Sequence, residues 1–92
     1  MNVAIVGCGN VAERYASQIV VTDPLTLVGV TDTVAQRAEA FARAFEVGQF
    51  RSLEELLAED TVDGVVNLTV PEAHASVTAA ALEAGKPVHT EK

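Results

Sequence analysis

Basic residues are scarce in this chain. Only 6 Lys and Arg stand against 13 Asp and Glu, a formal net charge of −7, and nowhere do the basic ones cluster. Such a chain neither tracks a phosphate backbone nor adheres to anionic lipid, so nucleic acid and membrane surfaces drop out as expected partners. Long apolar runs are missing too: none approaches the roughly 18 residues needed to span a bilayer. Met1 leads straight into a strand pattern, without the basic, apolar and cleavage zones of a signal peptide. A soluble, cytoplasmic chain is expected. The single cysteine, Cys8, excludes an internal disulfide, in keeping with a reducing compartment. No neighbouring base or cation marks Cys8 as an activated thiolate, so a nucleophile is not expected there. Internal repeats, low-complexity tracts and linkers are also absent. The 92 residues, 49% of them hydrophobic, therefore form one domain, which would bury only roughly 60 to 65% of its unfolded surface.

What is present is an alternation of two hydrophobic periods. Asn2 to Val6 reads as a strand, and Val11, Tyr15, Ile19 and Val20 then fall at helical spacing until Asp23 and Pro24 stop the helix. Leu25 to Thr31 is the second strand. Ala35, Ala38, Phe41, Ala42 and Phe45 mark a second helix, with Thr33 as its expected N-cap. A short third strand is placed around Phe50, followed by Ser52-Leu-Glu-Glu55, a capping box opening a brief helix through Leu53, Leu56 and Leu57. Val62 to Leu68 is the fourth strand. Pro71 suits a first helical turn, Val77, Ala80, Ala81 and Ala84 line the helix that Gly85 ends, and Pro87 to Glu91 is the fifth strand. Strand and helix alternate with connections that permit only crossovers. The expected fold is a doubly wound, Rossmann-type α/β sheet of parallel strands in the order 3-2-1-4-5. Its ligand crevice lies outside the carboxyl ends of strands 1 and 4, where Gly7 and Thr69 should meet.

At that crevice the sequence reads VGCGNVAERYA over residues 6 to 16. Two glycines one residue apart and a small residue three positions on, between a strand and a helix, fit the dinucleotide-binding turn, with Ala12 in the last position. Gly7 would permit the tight turn and Gly9 the close approach of a pyrophosphate. N–H groups around Asn10 and Val11 would attract that anion at the helix start. Asp32 stands 20 residues beyond Ala12, placed to accept hydrogen bonds from both ribose hydroxyls. Its carboxylate would repel the extra phosphate of NADP, so NAD is the expected cofactor. Arg37, five residues further, either softens that repulsion or is a solvated surface cation.

The second half, NLTVPEAHASVTAAALEAGKPVHTEK over residues 67 to 92, resembles the cofactor domain of the glucose-fructose oxidoreductase, inositol dehydrogenase and rhizopine catabolism (Gfo/Idh/MocA) family. Thr69, His74, Ala84-Gly85-Lys86 and Glu91-Lys92 carry the resemblance. Val70 stands where that family more often has Pro, Pro71 where Asn is commoner, and Pro87 where His is frequent. The resemblance implies that Lys92 lies by the nicotinamide and binds or polarises the substrate oxygen, with Glu91 on the other side of the strand or steadying the loop. His74 either serves the cofactor side or hydrogen-bonds nearby backbone. Family members continue into a larger domain with the substrate pocket and proton-transferring groups, which is expected to be absent here. The resemblance therefore implies the NAD(H)-binding domain of a sugar or polyol dehydrogenase, with turnover only where that domain is joined. The alternatives are a non-catalytic NAD-binding or sensory module, or a bare scaffold. A sheet cut at strand 5 would also leave an uncovered edge through which copies of the chain self-associate.

Overall fold

The computed structural model describes residues 1–9, 11–22 and 24–90. Nine elements follow one another: β1 (Asn2–Val6), α1 (Ala12–Val21), β2 (Thr26–Thr31), α2 (Ala35–Phe45), β3 (Gly48–Gln49), α3 (Leu53–Ala58), β4 (Gly64–Asn67), α4 (Pro71–Glu83) and β5 (Val88–Thr90). The strands pair in parallel in the order β3-β2-β1-β4-β5. That is the expected order. β1 lies at the centre and alternates its apolar side chains between two cores, which is why it reads as an unbroken apolar run. Val3 and Ile5 pack with α1 and α2, while Ala4 and Val6 pack with α3 and α4.

Several local expectations shift. On α1 the buried stripe is Ala12, Ala16 and Ile19, with Tyr15 half-buried, while Val20 is 56% exposed. Neighbouring residues on a helix point about 100° apart, so Ile19 and Val20 cannot both face the sheet. Two alanines at i and i+4 let the helix lie close to it. On α4 the buried residues are Val77 and Ala81, whereas Ala84 is exposed. The third strand is shorter and earlier than expected, although the N–H of Phe50 continues its ladder to the carbonyl of Val30 at 2.8 Å. The Phe50 ring lies where a Cβ on Gly29 would be.

Helix ends explain other differences. Thr33 is not the N-cap of α2; that position falls to Val34, whose N–H is taken by the Asp32 carboxylate. The Ser52 hydroxyl accepts from the Glu55 N–H at 3.1 Å as a capping box requires, but the Glu55 carboxylate reaches back to the N–H of Arg51 rather than Ser52. α4 closes with Gly85 at φ 78°, the N–H of Gly85 bonding the carbonyl of Leu82 and that of Lys86 the carbonyl of Ala81. The Lys86 ammonium then donates to the carbonyls of Glu59 and Val62 at 3.1 and 2.6 Å, which ties this end of α4 to the α3–β4 turn.

α1 and α2 cover one face of the sheet and α3 and α4 the other. Beside α1 the face of β4 and β5 carries an open, mostly apolar groove of about 420 Å³, bounded by Met1, Tyr15, Ile19, Leu25, Pro87 and His89. It lies toward the amino ends of the strands, away from the switch-point crevice. Among the described residues no helix is long and apolar enough to cross a membrane.

Candidate functional site

The crevice forms where β1 and β4 end side by side. The Gly7 N–H donates to the carbonyl of Thr31, and the Leu68 N–H donates to the carbonyl of Val6, both at 2.9 Å, so three chain segments meet at the turn. Gly7 has φ 97°, a conformation that L side chains rarely adopt. A Cβ there would also lie 2.9 Å from the carbonyl carbon and oxygen of Leu68 and 3.0 Å from the Thr69 nitrogen. Gly7 and Thr69 do meet, and the protein itself demands this glycine.

Gly9 is different. It is not among the positive-φ glycines, and a Cβ built on it meets nothing within 4 Å. No described part of the protein explains why this position has no side chain. α1 begins three residues on at Ala12, with Val11 at the N-cap position and no capping side chain among the described residues; the Ala12 N–H turns back to the carbonyl of Gly9 at 3.1 Å. N–H groups at such an end need partners from outside the helix. Bare backbone and an uncapped helix start together form a cradle suited to an anion.

Asp32 spans this turn and the next. One carboxylate oxygen accepts the Cys8 N–H at 2.7 Å and the other accepts the Val34 N–H at 2.8 Å. The same side chain thus fixes the glycine turn and caps the approach to α2. A carboxylate oxygen has two lone pairs, so each still offers one acceptor site to a ligand hydroxyl. Arg37 is exposed on the early turns of α2, and its charge reaches the turn. The Cys8 thiol shows this: burial first and the Asp32 carboxylate second, opposed by the Arg37 guanidinium, together push its pKa up to about 12. The raised pKa favours the neutral thiol, whose sulfur lies 3.8 Å from the carbonyl of Thr31.

The opposite wall holds a residue that sequence reasoning missed. Asn67 ends β4 and is fully buried. Its Nδ2 donates to the carbonyl of His74 at 3.0 Å and to the Thr78 hydroxyl at 2.9 Å, while its Oδ1 accepts the Thr69 N–H at 3.2 Å and the Thr69 hydroxyl at 2.6 Å. The available signal was one amide at the end of the apolar run VDGVVNL, since a buried polar group must find partners. His74 lies on the first turns of α4, and its Nε2 is buried without a hydrogen-bond partner among the described residues. Of the remaining candidates, Asn10, Glu91 and Lys92 lie outside the described residues. Gly7, Gly9, Val11, Asp32 and Thr69 sit on the loops that follow β1, β2 and β4, and His74 on the first turns of α4.

The donor set and the open space fit a dinucleotide: a diphosphate cradle at Gly9, acceptors on Asp32, and the Thr69 hydroxyl on the facing loop. Comparison with known proteins points the same way. The profile of an oxidoreductase family with an NAD-binding Rossmann fold matches residues 1–92. A 1,5-anhydro-D-fructose reductase of Ensifer adhaerens is 32% identical over 89 residues, covering 96% of this chain and 27% of the reductase. Among solved structures, an NAD-binding protein from Listeria innocua superposes with a TM-score of 0.92 at 34% identity, over 99% of this chain and 27% of its own. Biliverdin reductase from Synechocystis sp. PCC 6803, solved with biliverdin and NADP+, gives 0.91 at 31% identity, over 99% and 29%. The chain thus spans less than a third of each relative. Over its whole length, this chain belongs to the Gfo/Idh/MocA oxidoreductase family and is its NAD(P)-binding Rossmann domain.

Proposed function

We propose that this domain binds NAD(H) across the carboxyl ends of β1 and β4 for a dehydrogenase of a sugar, polyol or related hydroxyl substrate. The observation that carries the reading is Gly9, a glycine whose missing side chain leaves space that no described protein atom fills. The diphosphate rests on the turn of Gly7, Cys8 and Gly9 and at the start of α1, with Asn10 and Val11 supplying N–H groups. Asp32 accepts from the adenosine ribose with the lone pairs left over from Cys8 and Val34. Thr69 and His74 face the nicotinamide half. When bound, the dinucleotide supplies the site that gives or takes a hydride; the chain's part is to hold and orient it.

NAD is proposed over NADP because the Asp32 carboxylate would oppose a 2′-phosphate, with Arg37 offsetting part of that repulsion. Lys92 takes the role its family position implies, an ammonium that stabilises developing alkoxide charge, and Glu91 supports it. Substrate turnover belongs to the chain joined to a substrate domain, and 92 residues alone should give none. The open groove and β5 edge support the further reading that copies of this chain associate through that side, to be checked by sedimentation velocity across concentrations.

Calorimetric titration with NADH and NADPH tests the central reading. Heat with NADH, weaker heat with NADPH, and loss of that preference in Asp32→Asn are expected. No heat at millimolar NADH would overturn it.

A further inference from the structure

Thr69 stands beside the glycine turn on the β4 side of the crevice, its nitrogen 3.0 Å from where a Cβ on Gly7 would lie, and the direction of its hydroxyl's hydrogen bond is fixed. The carbonyl of His74 can only accept, so the Asn67 atom facing it at 3.0 Å is the Nδ2 donor. The Thr69 N–H can only donate, so the Asn67 atom facing it at 3.2 Å is the Oδ1 acceptor. Two backbone groups therefore set the amide orientation from opposite sides. Oδ1 carries no proton, and the Thr69 hydroxyl 2.6 Å away must donate its only one to it. What Thr69 has left for a ligand is lone pairs alone.

We infer that Asn67, itself out of reach of any ligand in the core, is a positioning residue that makes Thr69 a dedicated hydrogen-bond acceptor for a donor on the nicotinamide half of the dinucleotide. This rests on the proposed nucleotide reading and deepens it. The donors available on that half are the ribose hydroxyls and the carboxamide N–H groups. The diphosphate has none, so the same lock disfavours a phosphate oxygen at Thr69 and helps keep the two ends of the ligand in register. A buried, fully satisfied amide suits this purpose because any rotation would strand at least two of its partners. Thr78, which accepts from Nδ2 at 2.9 Å, anchors the far side of the amide to the middle of α4.

The experiment compares NADH with ADP, which lacks both the nicotinamide and its ribose, by calorimetry on the whole chain. Thr69→Val should weaken NADH about 3- to 10-fold and leave ADP unchanged, while Thr69→Ser, which keeps the hydroxyl, should bind both as the unaltered chain does. Asn67→Leu should weaken NADH selectively, and adding Thr69→Val to it should cost little more. Should Asn67→Leu fail to fold, the Thr69 pair decides alone. 3-Acetylpyridine adenine dinucleotide, with a methyl in place of the carboxamide nitrogen, separates the donors: a Thr69→Val penalty that persists assigns the ribose hydroxyls, and one that vanishes assigns the carboxamide. Equal loss for NADH and ADP, no loss for either, or failure of Thr69→Ser to restore NADH binding would overturn the inference while the nucleotide reading stands. If the unaltered chain binds neither ligand, both fall.

Discussion

At the end of β1 the main chain is left bare, whereas at the end of β4 it is wrapped by a buried amide. Both loops leave neighbouring strands of one sheet, and both lead into helices whose N-caps carry no side-chain hydrogen bond. In the first, glycines remove side chains, and among the described residues the side chain bonded to the turn is that of Asp32, 24 residues on from Cys8. In the second, Asn67 satisfies Thr69 and the carbonyl of His74 within its own crossover. In the first loop the N–H groups of Gly7, Cys8 and Ala12 are taken within the protein while those of Gly9 and Val11 have no described partner, and the second loop holds one acceptor in a set orientation. A dinucleotide needs both, since its diphosphate seeks donors and its sugars offer hydroxyls.

The contrast can be broken most severely at Gly7. Gly7→Ala places a Cβ against the Leu68 and Thr69 backbone at φ 97°, and urea unfolding should show a loss of at least about 3 kcal/mol. A change below 1 kcal/mol would mean the two loops do not touch as described. Next comes Asn67→Leu. It leaves the His74 carbonyl, the Thr69 N–H and the Thr78 hydroxyl without their partner, and should cost about 2 to 3 kcal/mol in the same assay.

Cys8 sharpens the comparison through its chemistry. Its folded pKa is raised, to about 12 against an ordinary 9.0, so the fold favours the neutral thiol. That contribution to stability is complete below the unfolded value and is lost as pH climbs from about 9 towards 12. Relative to Cys8→Ala, the unaltered chain should lose stability over that window, and iodoacetamide at pH 8.5 should modify it at least about tenfold more slowly than the urea-unfolded chain. Fast modification of the folded chain would show an exposed thiolate in the turn.

The smallest change in stability belongs to Gly9→Ala, which should fall within about 0.5 kcal/mol because the new methyl enters open space. The same variant should weaken NADH at least about tenfold by occupying the cradle. Gly7 and Gly9 therefore separate cleanly: one glycine serves the fold, the other the ligand. A Gly9→Ala chain that binds NADH normally would remove the main support for the diphosphate site.

Much of this was legible from residue order alone. Periodicity and capping signals give the order of strands and helices, with the third strand expected around Phe50 and found at Gly48–Gln49, and the expected meeting of Gly7 and Thr69 is present. What went astray was local and has local causes. Val20 was read as part of the buried stripe because valine is apolar, yet Ile19 already occupied that direction and small Ala16 set the contact. Thr33 was read as a helix cap because it is a good capping residue, but Asp32 beside it took the Val34 N–H while also holding Cys8. Asn67 passed as one more strand residue, since nothing within a few positions reveals that its partners lie 2, 7 and 11 residues along.

By itself the sequence determined the alternation of strands and helices, the parallel order that short right-handed crossovers allow, and the strand-to-helix turn without side chains. These follow from periods of two and 3.6 residues and from backbone sterics, which act between near neighbours. Only the tertiary structure decided which of the two glycines the protein needs for itself, which group caps α2, and which way the Thr69 hydroxyl points. Each of those depends on atoms that meet only after β1, β2 and β4 lie side by side, where close packing and the need to pair buried polar groups leave a single arrangement.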